Sequence, residues 1–296
     1  MRSGSAFPVS CPPGSVSFAD YLSVSILAGI ALLGYATLRF PASLAAGGLT
    51  KALVSVGALL AYAAASEWAK RSPSNAVQSA LRSGARVGVV LGTAALIGHT
   101  LEVFAALQAP IPAILGVGMW ALMFLLLGVA SAETYRREAS IRLGIMSSIW
   151  GAMISSVATV VFAFSVGLLF MSQMQRVLSG ALAVSGMTDA RAFVIRNMLD
   201  GASSHLLIAP AVAVLAGAAS GLASSMLKSV RRRTAVALAM CALLVLVGGV
   251  GALRFASLLE RSARPPFVML GLLLLGAAMT SAGPVFAVIR DPKTVS

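Results

Sequence analysis

Four titratable side chains could do chemistry within otherwise apolar parts of this chain. His99 and Glu102 lie three residues apart in the run LGTAALIGHTLEVFAALQAPIP, and Asp200 and His205 lie at the start of another apolar run. His99 and His205 are the only two histidines. A charge near the middle of a bilayer costs roughly 2.5–3.5 kcal/mol on insertion scales, so titratable groups at such places are functional candidates. We therefore predict a substrate or ion site at these four residues.

Three kinds of chemistry fit the residue types. A proton-coupled or cation-coupled transporter would use the Glu102 carboxylate together with the imidazole of His99. A b-type haem takes two axial histidines, which here would be His99 and His205. Cu(I) prefers thioether and imidazole ligands, and the stretch MSQM adds Met171 and Met174 to the two histidines. We expect a transporter of a small solute without a cofactor, and keep haem b and Cu(I) as alternatives.

A role that involves no chemistry is an alternative to these three functions. The sequence has neither a Gly-x-Ser-x-Gly nucleophile elbow nor a His-Glu-x-x-His zinc motif, so an enzyme is not expected. An accessory or scaffold subunit of a membrane complex would have the same apolar composition. The expected partners are the lipid bilayer and other membrane subunits. The net charge of +13 comes from short basic clusters between apolar runs, so nucleic acid is not an expected partner.

The composition requires a membrane as the solvent. Of 296 residues, 58% are hydrophobic and 10% are charged, and the mean hydropathy is +0.93. A soluble domain carries about 25% charged residues. In a bilayer only helices and closed barrels satisfy the backbone, and these long apolar runs do not alternate as barrel strands do. We predict an all-α polytopic integral membrane bundle of the inner or plasma membrane, with residues 1–296 as a single transmembrane domain.

About eight runs are long enough to span a bilayer, which takes about 20 residues each. They cover residues 21–38, 52–69, 86–107, 111–132, 143–171, 204–227, 234–257 and 265–289. The basic stretches RSPSNAVQSALRSGAR, ETYRREASIR and KSVRRR fall on one side, so the positive-inside rule places both termini in the cytoplasm.

One loop is long, and it lies on the outer side. We predict an outer amphipathic segment over residues 172–203. Within it, Thr188 or Asp189 could cap a helix that ends at Gly201 and lies on the membrane surface. A re-entrant segment is the alternative. The two cysteines, Cys11 and Cys241, do not indicate a disulfide framework, because Cys241 lies within an apolar run.

Small residues form stripes that predict helix contacts. The glycines at a spacing of four residues are Gly84, Gly88 and Gly92 in the third run, and Gly217 and Gly221 in the sixth. Helices in lipid associate through close packing of such residues. At about 100° per residue, His99 and Glu102 continue the glycine stripe of the third run. We therefore expect both to face a neighbouring helix in the outer half of the membrane, at a depth similar to that of His205.

Overall fold

The structure, a computed structural model, describes residues 18–45, 47–105 and 111–226, and within these ranges it is helical without strands. The helices are α1 (Phe18–Arg39), α2 (Gly48–Arg71), α3 (Asn75–Phe104), α4 (Ile111–Glu138), α5 (Ile141–Leu169), α6 (Met171–Val177), α7 (Ser179–Ser185) and α8 (Ala190–Met226), with a 3-10 turn at Pro41–Leu44. Among these, α1 to α5 and α8 contain stretches long and apolar enough to cross a membrane. The all-α class is therefore confirmed within these ranges, and six of the helices are candidates for spanning a membrane.

Part of the sequence prediction lies outside the described residues. This holds for the spans predicted at 234–257 and 265–289, for both termini and for the two cysteines. The structure thus gives six candidate spans within the described ranges and leaves the total of eight and the orientation as predictions.

Several helices extend beyond the apolar runs that indicated them. α3 begins at Asn75 rather than at residue 86, and the Ser74 hydroxyl accepts a hydrogen bond from the Val77 N–H at 3.4 Å. α5 starts in the same way with Ser140 as its cap. Hydropathy detects the stretch that suits lipid, whereas a helix continues until a capping residue satisfies its first N–H groups.

The prediction of a separate surface helix before the sixth span is wrong. Asp189 does cap a helix, since its carboxylate accepts hydrogen bonds from two N–H groups of the first turn at 2.9 and 3.0 Å. This helix, α8, does not end at Gly201 but continues to Met226. Its 37 residues span about 55 Å at 1.5 Å per residue, more than the roughly 30 Å of a bilayer's hydrocarbon core.

The amphipathic pattern at the start of α8 reflects a protein core. Val194, Ile195 and Leu199 are fully buried, and Met198 is nearly so. They belong to a cluster with residues of α1, α2 and α5. The apolar face therefore packs on neighbouring helices and not on a lipid surface. The other helices of the predicted outer segment are α6 and α7, each seven residues long.

α5 lies at the centre of the bundle and contacts α1, α3, α4 and α8. It crosses α3 at the glycine stripe. A Cβ at Gly84 would overlap a backbone carbonyl of α5, and a Cβ at Gly88 would come within 2.6 Å of the Gly151 oxygen. At Gly92 the nearest atom would be the Ala158 Cβ, at 3.1 Å. The helices therefore diverge towards the C-terminal end of α3.

Serine hydroxyls and glycines join α4, α5 and α8 at the same end. Three hydroxyls donate to carbonyls of other helices at 2.8 Å: Ser131 to Gly217, Ser148 to Leu127, and Ser220 to Gly128. A Cβ at Gly217 would come within 2.8 Å of the Ile145 Cα. We call this region the closed half; it comprises residues 84–88, 127–131, 144–151 and 217–221.

Candidate functional site

His99 and Glu102 form a pair near the end of α3. The His99 Nδ1 lies 3.3 Å from the Glu102 Oε2, and each side chain is a little over one-third exposed, at 38% and 39%. Residues three apart lie on the same side of a helix, which allows this contact. The pair can hold one proton as a neutral acid with a neutral imidazole, or as an ion pair. It is a carboxylate–imidazole contact near the end of an apolar helix.

Two adjoining cavities, of about 160 and 260 Å³, bring His205 to this pair. Both are lined by His99 and Glu102 of α3, Thr159 of α5 and His205 of α8. Three titratable groups from two helices thus border the same space. We call the parts of α3, α4, α5 and α8 that line the two cavities the open half; it comprises residues 91–103, 115–123, 155–166 and 197–205.

The smaller cavity lies between α3, α4, α5 and α8. Its wall is mainly apolar and includes Ser155 and Ser156. The indole ring of Trp120 lies 6.0 Å from the His205 ring, measured between centroids, at an angle of 43°. A solute here would therefore meet Trp120, two serines and the three titratable groups within a mainly apolar wall.

The larger cavity extends from the same groups towards α6. Met174 of α6 and Met198 of α8 contribute to its wall. α6 contacts the ends of α3, α5 and α8, and the Gln173 Nε2 donates a hydrogen bond to the Val103 carbonyl oxygen at 2.9 Å. This bond satisfies a carbonyl at the C-terminal end of α3, where no intrahelical partner is available. α6 therefore covers this end of the open half.

Asp200 does not lie at this site. Its carboxylate is 2.8 Å from the Lys51 Nζ, with both side chains largely exposed. It borders a third cavity of about 190 Å³, together with Lys51 and Arg196, and neither of the first two. Five residues separate Asp200 from His205, which places their side chains about 140° apart around the helix axis. The sequence placed Asp200 close to His205 along the chain but did not indicate that their side chains lie on different faces of α8.

The proposed metal ligands are only partly brought together. Met174 borders the larger cavity with both histidines, whereas Met171 packs against the apolar core. In the described ranges, three or more His, Cys, Asp and Glu side chains never come close enough to hold a metal ion. Cofactor pockets commonly measure roughly 300–1,000 Å³, so each cavity here is small for a haem.

Two residues that line the cavities were not predicted from the sequence. Trp120 and Asn197 border the cavities, yet neither stood out in the sequence. A tryptophan in an apolar run is also typical of a membrane interface. Asn197 lies on the amphipathic turn of α8 that was assigned to the membrane surface. Only the packing of α4 and α8 against α3 distinguishes these positions.

Comparison of the chain with models of known protein families, with curated proteins and with solved structures gives no match. The function is therefore inferred from the geometry of the site.

Proposed function

We propose that this is a multi-pass protein of the inner or plasma membrane that transports a small solute, and that protonation of the His99–Glu102 pair is coupled to solute binding. The observation that supports it is the convergence of His99, Glu102 and His205 on two adjoining cavities within a bundle of long apolar helices. Titratable groups in such surroundings are costly, which favours a functional role.

The size and chemistry of the cavities favour a small, partly apolar solute. Their volumes of about 160 and 260 Å³ lie below the roughly 300–1,000 Å³ of pockets for drug-sized ligands. The Thr159 hydroxyl and the three titratable groups can bind a polar group, while the remaining wall is largely apolar. In surroundings of low dielectric constant, a proton on the pair changes its attraction for a charged solute strongly.

The distribution of space along the bundle fits transport as well. The open half contains the cavities, and the closed half has backbones in direct contact. Alternating-access transporters expose a central site to one side of the membrane at a time. Within the described residues, a cavity in one half and close helix packing in the other correspond to one state of that cycle. Transport then requires the closed half to separate.

Proton flux in proteoliposomes tests the proposal. Vesicles with an internal pH-sensitive dye are given methylammonium, acetate or glycine as small cationic, anionic and zwitterionic probes. Because neutral methylamine and acetic acid cross lipid unaided, protein-free vesicles give the baseline. We expect at least one probe to change the internal pH faster with the wild-type protein than in this baseline, and Glu102→Gln to abolish the difference. Glutamine keeps the shape of the side chain and can still form hydrogen bonds, but its amide is not ionisable.

Glu67→Gln is the matched control. Glu67 is a helical carboxylate that pairs with Lys70 at the end of α2 and borders neither cavity. Its removal should leave the flux unchanged. Equal flux in Glu102→Gln and wild type, or a wild-type protein inert to all three probes, would reject the proposal.

Cu(I) handling is a second candidate, favoured by one observation. The thioethers of Met174 and Met198 and both imidazoles border the larger cavity. Titration of the purified protein with Cu(I) against a chromogenic chelator tests it. Stoichiometric binding that is lost in Met174→Leu but kept in Met171→Leu would support copper. Binding no tighter than that of the chelator would exclude it.

A further inference from the structure

Pro210 interrupts the hydrogen bonding of α8 just beyond the candidate site. It lies within the helix, five residues after His205. A proline has no N–H, and its ring pushes against the carbonyl four residues earlier, which here belongs to Leu206. The Leu206 carbonyl therefore lacks its normal helical partner. In an apolar core such a group costs free energy unless another donor reaches it.

Tyr62 supplies that donor from α2. Its hydroxyl donates a hydrogen bond to the Leu206 carbonyl oxygen at 2.6 Å, and the Tyr62 residue is only 7% exposed. The carbonyl of the preceding residue, His205, accepts a hydrogen bond from the Ser156 hydroxyl of α5 at 3.3 Å. Two consecutive carbonyls beside the proline are therefore held by side chains of two other helices.

We propose that Tyr62 is a positioning residue for His205. By holding the carbonyl that Pro210 leaves unpaired, it fixes the local path of α8 and thereby the place of the His205 imidazole at the two cavities. Tyr62 itself borders neither cavity; its hydroxyl lies beside the Leu206 carbonyl and the Ser156 side chain, both of which adjoin His205. The importance of His205 rests on the proposed transport function, but the positioning is a separate structural claim.

The chemistry of the bond suggests a sharp set of variants. Tyr62→Phe removes only the hydroxyl and leaves the Leu206 carbonyl buried without a donor. Pro210→Ala restores an N–H that can pair with the same carbonyl within the helix. In the double variant the hydroxyl is no longer needed. Tyr35→Phe is the matched control, because Tyr35 lies on α1 and is 58% exposed.

The measurement is the NMR spectrum of the histidine side chains in the full chain, labelled with ¹⁵N-histidine. The chain has only two histidines, so His99→Gln assigns both signals. We expect Tyr62→Phe to shift the His205 signal and to lower the unfolding temperature, while Tyr35→Phe changes neither. In the Pro210→Ala background, the further shift caused by Tyr62→Phe should be at most half as large.

Two outcomes would overturn the positioning role. One is an unmoved His205 signal in Tyr62→Phe, even with a lower unfolding temperature, because Tyr62 would then only stabilise the fold. The other is an equal shift with and without Pro210, because the bond would then not compensate for the proline. Should Tyr62→Phe fail to fold, a folded Tyr62→Phe/Pro210→Ala variant would support the proposal and an unfolded one would reject it. None of these measurements depends on a transported solute, so a failure of the transport proposal is separately visible.

Discussion

The closed half and the open half are built from the same four helices but differ in what lies between them. In the closed half, α3 and α5 touch through Gly88 and Gly151 with almost no side chain between them. In the open half, the same face of α3 carries His99 and Glu102, and the space beside it is a cavity. A single stripe along α3 thus changes from a packing surface to a candidate binding surface within about four turns.

The comparison shows how a helical bundle can be both stable and hollow. Glycines and interhelical serine hydrogen bonds hold one end, because close packing and hydrogen bonds are what associate helices in lipid. The helices can then diverge at the other end without separating. The titratable side chains lie where the divergence leaves room for a solute.

The largest expected effect is a loss of stability when a single methyl group is added in the closed half. Gly88→Ala places a Cβ 2.6 Å from the Gly151 oxygen, and overpacking of this kind costs about 1–3 kcal/mol. Gly57→Ala on α2 meets nothing within 4 Å and should gain up to about 1 kcal/mol of helix propensity. Thermal unfolding in detergent should shift in opposite directions, and shifts of the same sign would contradict the glycine contact.

Filling a cavity in the open half should instead raise the stability of the protein. Ala163 borders the larger cavity, so the added atoms of Ala163→Leu enter empty space. Filling a cavity commonly stabilises a protein by about 0.5–2 kcal/mol, whereas solute-dependent proton flux should disappear. A variant that is destabilised as strongly as Gly88→Ala would show that the two halves are equally well packed.

Removing one interhelical hydrogen bond should weaken the closed half moderately. Ser148→Ala removes the 2.8 Å bond to the Leu127 carbonyl, and such bonds contribute about 0.6–1.7 kcal/mol in membrane proteins. Ser225→Ala is the control, because this exposed hydroxyl bonds only within its own helix, to Leu222. Urea or SDS unfolding curves compare the two, and equal midpoints would mean that the Ser148 bond does not hold α5 to α4.

The smallest effect is expected outside both halves. Asp200→Asn breaks an exposed ion pair with Lys51, which contributes about 0–1 kcal/mol. Because Asp200 borders neither of the two main cavities, proton flux should stay at the wild-type level. A proton flux reduced as far as in Glu102→Gln would mean that Asp200 belongs to the functional site.

Much of the candidate site could be predicted because its signals are local. The glycine spacing of α3 and the helical angle to His99 and Glu102 lie within one helix, and one helical period describes both. A cap at Thr188 or Asp189 was recognisable for the same reason, and the structure assigns it to Asp189. The predicted surface helix failed because amphipathicity shows that a helix has an apolar face but not what covers it. Protein covers Val194 and Leu199 here.

The sequence by itself determined that this chain forms long apolar helices, where their small-residue stripes lie, and that two histidines and a carboxylate lie within them. Those properties follow from composition and the helical repeat. Only the tertiary structure decided that His99, Glu102 and His205 share two cavities, that Asp200 pairs with Lys51 instead, and that Tyr62 bonds the carbonyl left unpaired by Pro210. The physical reason is that lipid-facing and protein-facing positions are equally apolar. Which helices meet therefore depends on contacts between residues that are far apart in the chain.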